Sequence, residues 1–501
     1  MKPTPRSLER AVLARSALLP LAPFIASVAL ILAPGDAGAQ GYTADVSVNA
    51  GNFELRRTTR DSLPESLVAG EGERRELEDG TVVTCIPEEF CRWFPSGEVE
   101  TVSLVTEDLR AAFWPGIEGL AAQVHLRARY GSDDFWPRSD QELEALYAFV
   151  SYEDADYRVR TGRQQRTNGL GYYNFDGASF LWRGFDRVRI DLYGGWSLAR
   201  NLNAPRTGSL LQDADEFAPD DRGLIVGIDV QGRIGSRATG AFTYQREIRD
   251  DRLGLYTERV AGDVGIRVSR LSIELAADYD LAYEEFNEAS VRVSAPVVPG
   301  VEAMAQLRRY TPHFELWTIW GAFSPVGFDE TRGWLAWSLM GGDVRLEAGG
   351  AYRAYEETDA GAQFVGLEDD GWRAFGRARW NREGWFVDGS YRAEEGSGAA
   401  RYGGDLSVGR DFGPGRYAAL RGTSSQNFSE FRLGEQVTAG GGIDAAWRIR
   451  DFALTGGWAL YRLSYTGQPR VSDWNQHRGR VGISYHFGTE PDTPDRIGER
   501  P

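Results

Sequence analysis

The sequence predicts an all-β chain, a transmembrane antiparallel up-and-down β-barrel of about 18–22 strands with both termini on the periplasmic side. Three observations predict it. The N-terminus has the parts of a secretory signal, the body is a long series of alternating segments joined by connections of alternating length, and the last segment closes on an aromatic residue, Phe487.

Lys2, Arg6, Arg10 and Arg15 make a basic start, an apolar stretch runs from Ala17 to Ala33, and Ala37-Gly38-Ala39 supplies small residues for cleavage. Residues 1–39 therefore read as a signal peptide. Pro20, Pro23 and Pro34 interrupt the apolar stretch, which argues against a retained anchor. The whole chain carries a net charge of −17, and loss of the signal, with four basic and two acidic residues, makes it more acidic still. That charge argues against nucleic acid as a partner. Beyond the signal no apolar run approaches the ~20 residues of a membrane helix. Barrel strands cross with one apolar face only, so their signal is alternation. The 60 Gly, 21 Tyr, 24 Phe and 15 Trp suit many strands, tight turns and rings at a membrane boundary.

Period-two patterning is strict over Gly119 to Tyr130, where Leu120, Ala122, Val124, Leu126, Ala128 and Tyr130 oppose Gln123, His125, Arg127 and Arg129. Leu271 to Tyr283 and Leu224 to Val230 repeat it. Short connections fall near 235–236, 269–270, 298–300, 341–343, 381–384, 411–415 and 450–451, and longer polar ones near 249–257, 311–330, 356–370, 425–435 and 466–474. In outer-membrane barrels short turns face the periplasm and long loops face outside. Counting on that parity predicts fifteen strands from about residue 222. Earlier ones are expected near 186–198, 176–183, 156–163, 145–152 and 118–130, with weaker candidates at 100–110 and 42–55. Both 42–55 and 118–130 qualify as the first strand. On Asp370 to Asn381 the outward face reads Trp372, Ala374, Gly376, Ala378, Trp380. Eight residues at ~3.3 Å, tilted about 40°, place those two indoles roughly 20 Å apart along the membrane normal.

The final strand sets Val481, Ile483, Tyr485 and Phe487 against Arg480, Gly482, Ser484 and His486. A terminal strand ending in an aromatic resembles the recognition signal of outer-membrane barrels, which implies the barrel-assembly machinery as a partner. Here a polar tail, residues 488–501, follows the aromatic and is expected to be disordered in the periplasm. The barrel itself is expected over 40–487.

One stretch is more particular. Tyr157 to Gln164 ends in Gly162-Arg163-Gln164, Asp176-Gly177-Ala178-Ser179 follows, and then Phe185-Asp186-Arg187-Val188-Arg189. This arrangement, over roughly 145–200, is similar to the alginate-export family of porin-like barrels. The resemblance implies a monomeric channel with an Arg-lined lumen that passes an acidic saccharide or another small anion.

The residues themselves lead to a channel as well. If the apolar sets face lipid, Arg127, Arg129, Arg158, Arg160, Arg163, Arg187 and Arg189 are candidates to line the lumen, with Arg373, Arg377, Arg379, Arg478 and Arg480 on the C-terminal side. Closure of last strand on first would let these sets converge on one wall. Guanidinium ladders select anions. The competing reading is a balanced lining, with Asp229, Glu274, Asp278, Asp280 and Asp405 neutralising the arginines. Barrels of 16 or more strands leave an aqueous channel or a plugged lumen. The expected function is passive passage of small hydrophilic solutes through the outer membrane of a Gram-negative-type bacterium. A structural or adhesive barrel without an open pore is the alternative, and an outer-membrane enzyme is a lesser one. The four His form no catalytic arrangement, and neither a metal site nor a cofactor is expected. Residues 56–97 lack alternation and hold both cysteines. Cys85 and Cys91, in an exported chain, point to a disulfide-closed loop, placed either in the lumen as a plug segment or outside.

Overall fold

The structure, a computed structural model, describes residues 41–489 apart from 60, 71, 73, 87–88, 94, 132–142, 186, 199–222, 249–256, 312–326, 357–369, 397–398, 430–433 and 467–470. The signal sequence and the tail beyond Thr489 lie outside the described residues.

Alternation has the expected consequence: each period-two segment is a strand, and each strand pairs with the next. The chain opens with β1 (Gly41–Thr58) and passes through four short strands, β2 (Asp61–Pro64), β3 (Arg74–Glu76), β4 (Val82–Ile86) and β5 (Phe90–Trp93). It returns along β6 (Ser96–Trp114), β7 (Leu120–Gly131), β8 (Leu143–Glu153), β9 (Tyr157–Asn168), β10 (Gly171–Phe185) and β11 (Val188–Ser197). Fifteen more follow. They are β12 (Leu224–Ile234), β13 (Ala238–Ile248), β14 (Thr257–Val268), β15 (Leu271–Asp280), β16 (Glu285–Val298), β17 (Val301–Tyr310) and β18 (Phe328–Leu339). Then come β19 (Val344–Tyr355), β20 (Asp370–Arg382), β21 (Trp385–Gly396), β22 (Ala399–Gly413), β23 (Arg416–Ser429), β24 (Gly434–Ile449), β25 (Phe452–Thr466) and β26 (Trp474–Thr489). β1 and β6–β26 form one 22-stranded antiparallel sheet, and β2–β5 form a separate four-stranded one.

The large sheet closes. β1 pairs antiparallel with β26 from Tyr42↔Thr489 to Phe53↔Arg478, and with β6 on its other side. The first strand is therefore the one at 42–55, and 118–130 is the third strand of the wall. The barrel strands fall where alternation and loop parity place them, except that β9 runs on to Asn168 and β10 begins at Gly171, where the sequence predicts a connection from 164 to 175. β26 runs on to Thr489, two residues past the expected end at Phe487.

Outside and inside differ as the pattern requires. Leu192, Val226, Leu275, Leu307, Leu335, Leu420, Ile443 and Ile483 are all exposed, and all lie on the outward parity of their strands. Such a surface needs an apolar solvent, and only a closed barrel satisfies every backbone N–H and C=O in one. Near the short turns Phe185, Trp337, Trp385, Phe412, Trp447 and Phe452 are exposed, an aromatic girdle at one boundary. Trp372 and Trp380 stand at opposite ends of β20 on its outer face, as their spacing predicts.

Residues 56–97 depart from the expectation of an irregular segment. Arg56–Thr58 and Ser96-Gly97 still belong to β1 and β6, and between them the chain folds into the small sheet, in the order β2-β5-β4-β3. Cys85 and Cys91 face each other across the β4–β5 hairpin and are disulfide-bonded. They are buried with Val68, Val83 and Trp93 in a core of the sheet's own. The sheet sits at the tip of the β1–β6 hairpin, on the long-loop end.

A core this small depends on its cross-link, which contributes about 2–4 kcal/mol. Replacing Cys85 and Cys91 together by Ser should speed amide exchange in 61–93 by roughly 30-fold to 1,000-fold. Exchange in the barrel strands, and heat-modifiable migration of the folded barrel on gels, should not change.

Candidate functional site: a hairpin folded into the lumen

The β9–β10 hairpin leaves the wall. β9 pairs with β8 only from Arg158 to Arg163, and β10 pairs with β11 only from Phe175 onward. Residues 164–174 pair with each other alone among the strands. Three glycines in register make the bend: Gly162 faces Gly177, and Gly177 faces Gly195. Gly162 has φ +122°, and a Cβ there would lie 2.3 Å from the Ala148 carbonyl oxygen. A Cβ on Gly177 would lie 2.1 Å from the Gly194 carbonyl oxygen, and one on Gly195 2.4 Å from that of Asp176. Only glycine permits three backbones to pass this closely.

Leaving the wall exposes the edge of β8, and side chains cover it. Arg163 donates to the Ala145 carbonyl at 3.2 Å and Gln165 to the Leu146 carbonyl at 3.2 Å. Arg163 also grips Asp176 with two bonds, 2.7 and 3.0 Å, and Gln164 accepts from Ser179 at 2.7 Å while donating to the Gly177 carbonyl at 3.2 Å. The Gly-Arg-Gln and Asp-Gly-Ala-Ser elements noted in the sequence are thus one knot at the bend. Arg163, expected to line the lumen, is tied down there instead.

The tip lies against the inner wall of β11–β14. Leu170, Tyr173 and Phe175 form a buried apolar cluster with Tyr193, Ile225 and Ala261. Around it runs a polar lattice. Arg166 pairs with Asp191 at 2.7 Å and Asp229 at 2.6 Å, and its guanidinium covers the Tyr193 ring at 4.1 Å. Asn168 donates to the Tyr193 hydroxyl at 3.2 Å, which donates to Gln245 at 2.8 Å. From β14, Arg259 donates to the Leu170 carbonyl at 3.4 Å and the Tyr173 hydroxyl at 3.2 Å, and it is paired with Asp278 on β15. A hairpin held at its bend, along its length and at its tip narrows the lumen from one side.

Apart from Arg187, the other predicted lining residues keep the inward parity but are mostly neutralised by neighbours. Arg127 pairs with Asp108 at 2.8 Å, Arg129 with Glu144 at 2.6 Å, and Arg158 stands 4.0 Å from Glu153. Arg160 covers the Phe149 ring at 4.9 Å. Arg187 lies in the β10–β11 turn, and Arg189 is exposed on the inner face of β11. Arg373 is paired with Glu330, and Arg377 and Arg379 share Asp388 at 2.6 and 3.1 Å. Arg480 is paired with Asp444, while Arg478 donates to Gln476 at 2.7 Å and covers Tyr461 at 5.0 Å. Closure sets Arg478 and Arg480 on β26 near Arg127 and Arg129 on β7, with only β1 and β6 between them, whereas β20, with Arg373, Arg377 and Arg379, is separated from β7 by eight strands. Of the acids proposed to balance them, Asp229, Glu274 and Asp278 do pair with arginines, but on neighbouring elements and not across the pore.

Sequence reading missed Arg166, Tyr173, Tyr193 and Arg259. A signal was available: Gln164 to Gly169 carries no apolar side chain on either face, so apolar alternation is interrupted inside the inward fold.

No protein-family model matches the chain, and no curated protein matches it in sequence. Among solved structures it is similar in fold to OccAB3 of Acinetobacter baumannii, with 8% identity over 89% of this chain and 99% of that one and a TM-score of 0.38. OccK8 (OprE) of Pseudomonas aeruginosa gives 10% identity over 90% and 98%, also at 0.38. A BenF-like porin from Pseudomonas fluorescens Pf-5 gives 9% over 89% and 99%, again at 0.38.

Removing Arg166 leaves Asp191 and Asp229 facing each other under the hairpin, at a cost of about 3 kcal/mol. Arg166→Ala should release the tip, seen as faster amide exchange over 164–174, while Arg166→Ala combined with Asp229→Asn should restore part of the protection.

Proposed function

We propose that this chain is a porin-like channel of the outer membrane of a Gram-negative-type bacterium, passing small hydrophilic solutes passively, and that it is not an enzyme. One observation carries the reading: a closed 22-stranded barrel with an apolar outside and a charged inside. Twenty-two strands at ~4.8 Å spacing and about 40° tilt enclose a backbone diameter of roughly 44 Å, far more than facing side chains span. The inward hairpin covers the wall of β11–β14, four of the twenty-two strands.

The lining supports passage of polar solutes generally, because most of its arginines have carboxylate partners in place. Passage of anions, acidic saccharides among them, is the finer reading that the likeness to alginate-export barrels favours. Of the residues that carry that likeness, Gly162, Arg163, Gln164, Asp176, Gly177 and Ser179 belong to the knot at the bend. We read residues 1–39 as the export signal, outer-membrane lipid and the assembly machinery as partners, and a monomer as the working unit. The disulfide-closed sheet at the long-loop end favours a second, external contact role beside transport.

Reconstitution into planar bilayers should give stepwise conductance, and persistent silence of a correctly folded barrel would sink the channel reading. Arg158→Gln with Arg160→Gln should lower the anion-over-cation permeability ratio, read from the reversal potential in a salt gradient. An unchanged ratio would show that this pair does not set the lumen field.

A further inference from the structure

We propose that Arg332, Trp334 and Phe375 form a carboxylate-binding station on the lumen wall, an inference that rests on reading the lumen as the solute path. On β18 the exposed Leu335 and Trp337 face outward, so Arg332 and Trp334, of opposite parity, face inward. Trp334 is opposite Gly349 on β19, and Gly349 is opposite Phe375 on β20. Gly349 has no side chain, and a Cβ there would lie 2.3 Å from the Trp334 Cβ and 2.9 Å from the Phe375 ring. The glycine therefore lets an indole and a phenyl ring approach across the middle strand. The guanidinium of Arg332 lies over both, with Cζ 4.7 Å from the Trp334 ring centroid and 5.2 Å from that of Phe375.

What sets Arg332 apart is its partners. The guanidinium groups around it each have a carboxylate: Arg373 and Arg353 share Glu330, Arg308 has Glu288 at 2.9 Å, and Arg292 has Glu274 at 3.0 Å. Among the described residues Arg332 has an ion pair with none. Its directly opposed neighbours are Gln306 and Ala351, the latter too short to reach its charge. One uncompensated cation thus remains in a field of compensated ones. Two aromatic rings hold its charge by cation–π attraction, which uses none of its N–H donors as a carboxylate would. A planar acceptor with two oxygens fits that edge with a pair of parallel hydrogen bonds, which a spherical halide cannot make. The fitting solute is a small organic carboxylate.

The test is calorimetric titration of the detergent-solubilised, folded barrel with sodium glucuronate, with glucose as the uncharged control. Saturable millimolar binding of glucuronate and none of glucose is expected. Arg332→Gln should weaken it at least ~10-fold, as loss of a charge-assisted pair does, and Arg332→Lys should restore only part. Arg345→Gln, which removes an arginine already bonded to Glu347 at 2.6 Å, should bind as the unaltered chain does. Heat-modifiable migration on gels checks that each variant is folded. No saturable binding by the unaltered chain, or equal binding by folded Arg332→Gln, overturns the station. Binding equally weakened by Arg345→Gln also overturns it, in favour of a diffuse lumen field. Glucuronate binding with silent bilayers would sink the channel reading and leave the station. Conductance without binding would do the reverse.

Discussion

Everything in this molecule depends on backbone hydrogen bonds having no water to fall back on. In hydrocarbon an unpaired N–H or C=O costs several kcal/mol, so a sheet that enters it must have no free edge. The β1–β26 pairing removes that edge, and it joins residues more than four hundred apart in sequence. Twenty strands between them would be held in a row by local hairpins alone. Only closure makes them a barrel, with an outside that tolerates lipid and an inside that must accommodate charge.

The same constraint explains the one place where the wall is broken. When β9 and β10 turn inward they strip the upper part of β8 of its partner. Arg163 and Gln165 then supply donors to the Ala145 and Leu146 carbonyls. The hairpin's own apolar residues need burial too, and Tyr193, Ile225 and Ala261 give it to Leu170, Tyr173 and Phe175. Side-chain chemistry thus replaces sheet pairing on one side and lipid contact on the other. Glycines at 162, 177 and 195 make the geometry possible, because each is approached by a neighbouring backbone more closely than any Cβ allows.

Charge inside the barrel follows a matching economy. In a confined lumen an unpaired guanidinium raises the field for every neighbour. Most arginines here face a carboxylate one strand away, which fixes both side chains and flattens the potential along the wall. Against that background Arg332 lies over two rings among guanidinium groups that each have a carboxylate, and its charge stays available to a solute.

The sequence by itself determined the strands, their faces and their direction. Alternation reports which side of each segment is apolar, and loop parity reports which way each strand runs, both of them local properties. It also marked 162–164 and 176–179 as unusual, and it placed the two cysteines together. Tertiary structure alone decided that 42–55 is the closing strand, because alternation cannot say which partner a strand takes. It decided that 164–174 folds inward, which rests on three glycines meeting from three strands. It also decided which arginines are spent in ion pairs, since the residue opposite Arg332 or Arg377 is set by the register between strands and not by anything adjacent in the chain.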